Sequence, residues 1–430
     1  MSQAPLDYQA ERVARRNYAA LVGDGLFFTF GVAFFDSTSV LPMFVSTLTS
    51  SSVLIGLSLT IRNLGWMLPQ VLVARYVGSM PRKMPVALGA AILQRIALFA
   101  VALITLLWAG SRPELALVGY FVGLSLFALG DGITSVPWTD IVGRTVPHQR
   151  RGRLFGTMQV LGGILAFGAG FAVRRIIAHP SLPYPNNFAL LFFIGAALLM
   201  LSLLSFSRVR EPATSLPTTR RDSLGVYLRR VPELFRRNPA AARLVVTRML
   251  ATGINLAVPF FAVFGRDALG FAPEAAGLFV SAQMVGTIVG SLGWARIGDF
   301  RGNRLLVRST VLAATIAPLV PLALAPFAGS GLAKLLYPLT FVVLGATFSG
   351  TWMGFTNYLI EITSEAERPY YLGAVNTLVA PFTFFGVLGG LVVATAGYVV
   401  CFAVSAVLCL GALVVSAGLP EPRHSVGSVS

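Results

Sequence analysis

Six ionisable side chains lie deep inside otherwise apolar stretches of the sequence, and their types and positions could support chemistry. They are Asp24, Asp36, Arg62, Arg95, Asp131 and Arg248. A charge in lipid is costly, so such residues usually face a protein interior or a water-filled cavity and pair with one another. A carboxylate in a cavity of low dielectric can also bind and release a proton as its surroundings change. The six residues therefore predict proton coupling, binding of a charged ligand, or permanent ion pairs.

Depth along the apolar stretches suggests which of these charges meet. Asp36 and Arg62 lie at similar depths from the outer ends of their stretches, about 15 Å at about 1.5 Å per residue, and predict an ion pair near mid-membrane. The other four lie nearer the inner side and predict a second cluster. For Asp36 and Asp131 a switchable site and a permanent ion pair remain equal alternatives. For Asp24 and Arg95 the structural role is favoured.

Polar and aromatic residues recur at helical spacing beside these charges. Residues three, four or seven positions apart share one face of a helix. The candidates found in this way are Trp66 beside Arg62, Ser135 and Trp138 beside Asp131, and Thr252 and Asn255 beside Arg248. Each is a candidate lining residue of a solute cavity, although an aromatic side chain inside an apolar helix more often packs against neighbours or lipid.

The chain that carries these residues is built of apolar segments. Its 430 residues are 55% hydrophobic and 12% charged, with a mean hydropathy of +0.76, whereas a soluble domain carries about 25% charged residues. A bilayer core about 30 Å thick needs about 20 apolar residues per helix. The sequence predicts an all-α integral membrane protein with twelve spans, at 19–46, 52–77, 84–109, 114–139, 154–178, 186–207, 241–264, 273–297, 305–327, 333–360, 371–395 and 398–419.

The spans fall into two sets of six. The predicted division is an N-terminal tail at 1–18, a six-helix bundle at 19–207, a basic linker at 208–240, a second bundle at 241–419 and a C-terminal tail at 420–430. Most of the 33 Lys and Arg residues lie in the linker and in alternate loops. The positive-inside rule therefore predicts an inner (plasma) membrane protein with both termini in the cytoplasm.

The net charge of +16 does not indicate a nucleic-acid partner, because the basic side is expected to face anionic lipid headgroups. The sequence contains no phosphate-binding loop and no Ser/His/Asp or metal-ligand pattern, so an enzyme is not expected. No cofactor is expected either, beyond a proton gradient as the driving force. Cys401 and Cys409 fall in the last span and are expected to be small apolar fillers.

An internal repeat relates the two sets of spans. A shift of 217 residues aligns Pro42 with Pro259, Thr139 with Thr356, Arg151 with Arg368 and Gly156 with Gly373. Two six-span halves related in this way are a known transporter architecture, with the binding site near mid-membrane at the interface of the halves.

The loop after the eighth span carries the most specific resemblance. Its segment 295–304 reads Ala-Arg-Ile-Gly-Asp-Phe-Arg-Gly-Asn-Arg, and it resembles the loop signature of the major facilitator superfamily at Asp299, Gly302 and Arg304. The segment 150–156 is similar to the loop that opens the family's fifth span. The first-half copy of the signature keeps only its basic pair. The resemblance covers residues 17–419.

This resemblance implies the major facilitator fold, with two pseudo-symmetric six-helix bundles. It also implies that spans 1, 4, 7 and 10 line the cavity, which adds Trp352, Thr356 and Asn357 to the candidates. Asp299 would form a cytoplasmic latch with Arg368, and Arg151 would belong to the same gate.

The predicted function is movement of a small organic solute across the inner membrane by alternating access, with proton-coupled efflux as the first interpretation. Proton-coupled metabolite uptake and movement of a lipid or amphiphile are alternatives. A non-transporting membrane sensor or scaffold is the alternative from another class. The predicted partners are the solute and the lipid bilayer, and the chain is expected to act as a monomer.

Overall fold

The computed structural model describes residues 8–77, 80–212, 224–364 and 367–422, and the regular structure of these residues is helical. The first half contains α1 (Tyr8–Val32), α2 (Val40–Leu48), α3 (Ser52–Val77), α4 (Met84–Trp108), α5 (Pro113–Thr145), α6 (His148–Ile177) and α7 (Asn186–Phe206). The linker contains α8 (Leu224–Arg237). The second half contains α9 (Pro239–Ala251), α10 (Val258–Asp267), α11 (Ala275–Arg301), α12 (Asn303–Leu324), α13 (Gly331–Leu336), α14 (Leu339–Glu361), α15 (Arg368–Val379) and α16 (Phe385–Ala417).

Ten helical stretches in the described residues are long and apolar enough to cross a membrane, so the predicted count of twelve is not confirmed. The helix α3 coincides with the second predicted span but is not among the ten, because Arg62, Asn63 and Gln70 make it more polar. The stretch 370–417 counts once, although its backbone breaks at Gly397, where φ is 82°. That break lies between the eleventh and twelfth predicted spans.

Three of the helical stretches are interrupted near their middle by short 3₁₀ segments. These segments are Ala33–Phe35 between α1 and α2, Thr252–Leu256 between α9 and α10, and Ala380–Phe384 between α15 and α16. The first two lie at corresponding places in the two halves, because the repeat aligns Asp36 with Gly253. An interruption frees backbone carbonyls that must find other donors.

A row of side chains on α16 supplies such donors at the second interruption. Ser405 Oγ donates to the carbonyl of Gly253 at 3.0 Å. Cys401 Sγ lies 3.3 Å from the carbonyl oxygen of Leu256, and Cys409 Sγ lies 3.8 Å from that of Ala251. The two cysteines are buried, as expected, but they are more than apolar fillers, since their thiols face backbone carbonyls around the break.

The most extensive contacts between the two halves are those of α3 with α16 and of α6 with α11. Glycine allows the close approach in both pairs. A Cβ atom on Gly56 would lie 1.9 Å from the carbonyl oxygen of Gly386, and a Cβ atom on Gly277 would lie 2.2 Å from that of Gly170. The backbones therefore touch where a larger residue would force the halves apart.

We call the side of the bundle with α8 and the ends of α7 and α16 the linker side, and the opposite side the far side. The hydrogen bonds between the halves lie in the far-side part of the described structure. They join Thr38 to Gln283, Thr60 to the carbonyl of Thr383, Arg266 to Ser46, and Ser281 to the carbonyl of Phe167. The far side is thus held together by polar contacts as well as by glycine packing.

Candidate functional site

An ion pair joins α3 to α5 in the middle of the first half. Arg62 NH2 lies 2.8 Å from Asp131 Oδ2, and the two side chains are 19% and 14% exposed. The guanidinium carbon of Arg62 also lies 5.2 Å from the ring centre of Phe127, four residues before Asp131 on the same face of α5. Carboxylate and aromatic ring together hold the Arg62 side chain in this partly buried position.

The predicted pair between Asp36 and Arg62 is therefore wrong. The Asp36 side chain instead bonds to the residues that follow it. Its Oδ1 accepts from the backbone N–H of Thr38 and of Ser39, both at 2.9 Å. The hydroxyl groups of the same two residues lie 2.6 and 2.8 Å from this oxygen. The Asp36 side chain therefore closes the turn that precedes α2, and this local role leaves Arg62 to the carboxylate on α5.

The turn at Asp36 is connected to the other half of the protein. Thr38 Oγ1 contacts Asp36 Oδ1 and also the side chain of Gln283 on α11. Asp36 is buried at 7% exposure, and Thr38 is more deeply buried. A carboxylate, a hydroxyl and an amide thus form a continuous polar chain across the interface of the halves on the far side.

A second polar network links α1, α4, α5 and α7. Asp24 Oδ1 accepts from Ser202 Oγ at 2.6 Å, and Asp24 Oδ2 accepts from Trp138 Nε1 at 2.8 Å. Arg95 donates to Ser202 Oγ at 3.2 Å and to the carbonyl of Leu199 at 3.1 Å. Ser202 therefore connects Arg95 to Asp24. The contacts of Ser202 are buried and that of Trp138 with Asp24 is partly buried, and the structural role of Asp24 and Arg95 stays a prediction.

The predicted inner cluster of four charges is wrong at Arg248. Asp24 and Arg95 share the network around Ser202, and Arg95 also interacts electrostatically with Asp131, which pairs with Arg62. Arg248 lies in the other half, on α9, where its guanidinium carbon is 5.2 Å from the ring centre of Phe355. In the part of the chain that the structure describes, no carboxylate pairs with it.

The remaining cavity candidates stay predictions. Trp138 donates to Asp24 and packs against Phe155, with ring centres 6.2 Å apart. Trp352 is 66% exposed and Asn357 is exposed. Those that are partly buried are Trp66, Ser135, Thr252, Asn255 and Thr356.

The two gate arginines make corresponding contacts in the two halves. Arg151 NH2 donates to the carbonyl of Gly143 near the end of α5, and Arg368 NH2 donates to that of Ile360 near the end of α14. These acceptors are related by the same 217-residue shift as the arginines. Each arginine therefore caps the helix before it, and the latch between Asp299 and Arg368 stays a prediction.

The signature loop closes α11 through Gly302, whose φ of 87° lies in the left-handed region that favours glycine. Arg304 Nε lies 3.6 Å from Glu421 Oε2. Glu421 Oε1 would lie 2.6 Å from a Cβ atom on Gly302, so the loop and the residues after α16 pack closely.

A corresponding cluster in the first half was missed by the sequence analysis. Glu211 accepts from the backbone N–H groups of Lys83 and Met84, with distances of 2.8–2.9 Å, and so caps α4. Lys83 Nζ lies 2.6 Å from Asp140 Oδ2, and Arg144 Nε contacts the same carboxylate oxygen. Asp140 thus supplies the acidic group that the first-half loop lacks.

The sequence did contain a signal for this cluster. Glu211-Pro212 follows the sixth predicted span, and Glu421-Pro422 follows the twelfth. In both halves the glutamate contacts residues at the start of the third predicted span, which is α4 in the first half and α12 in the second.

Replacing Glu211 by Gln is expected to lower the free energy of unfolding by roughly 1–2 kcal/mol, since hydrogen bonds to a charged acceptor are stronger than neutral ones. The Glu211 side chain is 3% exposed, so water cannot replace the lost interaction. The midpoint of thermal unfolding in detergent measures the effect. Glu233→Gln is the matched control, because its pair with Arg237 is 54% and 72% exposed and should contribute little. Equal shifts for the two variants would contradict the capping role.

Comparison with known proteins finds partial sequence matches. The family model described as Major Facilitator Superfamily matches residues 244–429. An uncharacterised protein of Mycobacterium tuberculosis is 28% identical over 194 residues, which cover 43% of this chain and 36% of the relative. A Mycobacterium bovis protein matches equally. The match thus spans about a third of the length of these curated relatives.

Solved transporter structures match almost the whole chain. A POT family transporter in complex with 5-aminolevulinic acid superposes with a TM-score of 0.73 at 13% identity, covering 94% of this chain and 97% of its own. A bacterial homologue of the iron transporter ferroportin in an inward-facing state gives 0.72 at 15%, covering 97% and 99%. The nucleoside transporter NupG gives 0.69 at 16%, covering 94% and 99%. At these identities the likeness is one of fold, and the expected all-α major facilitator fold is confirmed.

Proposed function

We propose that this chain is a secondary active transporter for a small organic solute. Its fold matches major facilitator transporters along almost its whole length, and the family model matches residues 244–429. The observation that carries this proposal is the uneven contact between the halves. Polar bonds and glycine contacts hold the far side together. On the linker side, side chains such as Trp352 and Asn357 are exposed.

This arrangement supports alternating access. The two halves can rock about the glycine contacts, so that a central site opens to one side at a time. The central charged groups are the pair of Arg62 and Asp131 in one half and Arg248 in the other. We propose that the linker side is cytoplasmic, on the positive-inside rule, and the state described is then open to the cytoplasm.

Among the three intramembrane carboxylates, we propose that Asp131 carries the coupling proton. Asp36 accepts four hydrogen bonds in its own turn, and Asp24 is enclosed by Ser202 and Trp138. Asp131 instead forms an ion pair with Arg62 and stays partly exposed. Protonation of Asp131 would release Arg62, so proton binding and a change of contact between helices are linked.

The flux experiment uses purified protein in liposomes with an imposed pH gradient and a solute library read by mass spectrometry. Proton-coupled efflux predicts that at least one solute accumulates in an acidic lumen, in exchange for protons that leave. Accumulation from an acidic outside into a neutral lumen would support uptake by symport instead. Labelled phospholipids in the same vesicles test the lipid alternative. No flux of any solute or lipid under either gradient, relative to protein-free vesicles, would favour the sensor or scaffold interpretation.

The orientation has its own test. Asn357→Cys places a thiol at an exposed position near the linker side, while the native Cys401 and Cys409 are buried and give little background. A membrane-impermeant maleimide is expected to label Asn357→Cys in inside-out vesicles but not in intact cells. Ser111→Cys, in an exposed loop on the far side, should show the opposite pattern. Labelling of Asn357→Cys from the outside of intact cells would reverse the proposed topology.

A further inference from the structure

Among the residues that the structure describes, Arg248 differs from the other intramembrane cations because it has no acidic or hydrogen-bonding partner. Arg62 pairs with Asp131, and Arg95 reaches Asp24 through Ser202. Across the described ranges 8–77, 80–212, 224–364 and 367–422, the guanidinium of Arg248 meets only the ring of Phe355. Its five N–H donors therefore lack acceptors from the protein.

Such an isolated cation is costly in a membrane unless something else compensates the charge. The face of an aromatic ring stabilises the positive charge of a guanidinium less than a carboxylate does. The planar fork of a guanidinium matches carboxylate and phosphate groups with two parallel hydrogen bonds. An anionic group from a solute would thus supply what the protein does not.

A second polar group follows Arg248 along the chain. Asn255 is seven residues after Arg248 and lies in the 3₁₀ segment Thr252–Leu256, which directly follows α9. In the described part of the chain its amide makes no hydrogen bond, although it is partly buried. Interrupted helices of this kind commonly line solute sites in transporters.

The helix that carries Phe355 also carries an exposed aromatic side chain. Phe355 on α14 is 3% exposed, whereas Trp352, one turn earlier on the same helix, is 66% exposed. A solute with its charged end at Arg248 could place an apolar body against this indole ring. The site therefore combines a cation, an amide and an aromatic surface.

We propose that Arg248 and Asn255 bind the anionic group of the transported solute, and that the solute is an organic anion with an apolar body lying against Trp352. This inference rests on the proposed transport function and names its substrate class. The chemistry is shared by carboxylates and phosphate monoesters, and the experiment separates the two.

Binding is measured on the full-length purified protein in detergent, without any gradient. The probes are octanoate, 4-nitrobenzoate and phenyl phosphate, each compared with its neutral counterpart, octanamide, 4-nitrobenzamide or phenol. At least one anion is expected to raise the midpoint of thermal unfolding in a saturable way, and its neutral counterpart should not. Octanoate and 4-nitrobenzoate report on carboxylates, and phenyl phosphate reports on phosphates.

Variants locate the site. Arg248→Gln is expected to weaken binding of the active anion by about 30-fold or more, as expected when one member of a buried charge pair is removed. Arg248→Lys keeps the charge but loses the fork, so an intermediate affinity is expected. Asn255→Ala should weaken binding by about tenfold. If Arg248→Gln does not fold, this variant tests whether the anion binds at the proposed site. Arg112→Gln, in an exposed loop, is the control and should leave binding unchanged.

Equal anion binding by the wild type, Arg248→Gln and Asn255→Ala would overturn the inference, as would the absence of binding by any of the three anions. The absence of anion binding is the result expected if Arg248 instead pairs with a carboxylate of the first half in another conformation of the transporter. The outcome is separable from the proposed function. Solute flux without anion binding would overturn the substrate class alone, whereas anion binding without flux would overturn transport alone.

Discussion

Asp131→Asn is expected to lower the free energy of unfolding by about 3 kcal/mol, because it leaves Arg62 as an uncompensated charge in a partly buried position. The two side chains are 14% and 19% exposed, so water screens the pair only in part. The ring of Phe127 remains as a weaker partner for the guanidinium. Thermal and denaturant-induced unfolding in detergent measure the loss.

The double variant Asp131→Asn with Arg62→Gln separates structure from coupling. Removal of both charges is expected to restore most of the stability, because neither charge is then left unpaired. Gradient-driven flux is expected to stay lost, since the group that binds the proton is absent. A double variant that recovers proton-driven flux together with stability would reduce the pair to a structural role.

Asp36→Asn is the matched carboxylate variant for this comparison. Asp36 accepts its hydrogen bonds from neutral backbone and hydroxyl groups, and no cation pairs with it in the described structure. The amide oxygen of Asn can still accept from the same N–H groups. A smaller loss of stability than for Asp131→Asn is expected, and proton-driven flux should persist.

The apolar segments and the two halves could be predicted from the sequence because hydropathy is a local property of the chain. The repeat also aligned Arg151 with Arg368, whose caps on the preceding helices the structure confirms as equivalent. In contrast, the ion pairs were mispredicted. Depth along a helix gives one coordinate only, and it does not give which helices are neighbours or which way a side chain turns.

The error at Asp36 and the missed contact of Asp24 have this common origin. The 3₁₀ segment Ala33–Phe35 interrupts the helix just before Asp36, and the apolar sequence around it contains no local pattern that predicts the break. Ser202, which joins Arg95 to Asp24, is one of three serines in the predicted span 186–207, and its sequence position does not distinguish it from the other two. The capping role of Glu211 could have been predicted, because the Glu-Pro pair recurs after the twelfth span.

The contact of the two halves through glycine leads to a conformational expectation. A Cβ atom on Gly56 would lie 1.9 Å from the carbonyl oxygen of Gly386 and 2.6 Å from its carbon, and backbone cannot move aside as a side chain could. Gly56→Ala must therefore separate α3 from α16 at this point. The hydrogen bond from Thr60 to the carbonyl of Thr383, one turn further along, would weaken with it.

Because this contact joins the halves and is not inside either one, Gly56→Ala is expected to leave each half folded but to disfavour the state closed on the far side. Maleimide labelling of Asn357→Cys from the linker side should then slow by about tenfold, which corresponds to about 1.4 kcal/mol in the conformational equilibrium. Solute flux should fall as well, since the transport cycle requires both states.

Two other glycines supply the controls. Gly89 on α4 is exposed and has no neighbouring atom within 4 Å of an added Cβ, so Gly89→Ala should leave labelling unchanged and stabilise the helix by about 0.5–1 kcal/mol. Gly286 on α11 faces the carbonyl of Val342 on α14, in the same half, at 1.8 Å. Gly286→Ala should therefore reduce the yield of folded protein. If Gly56→Ala behaved like either control, with wild-type labelling or with loss of folding, the far-side glycine contact would not be the place where the two halves separate.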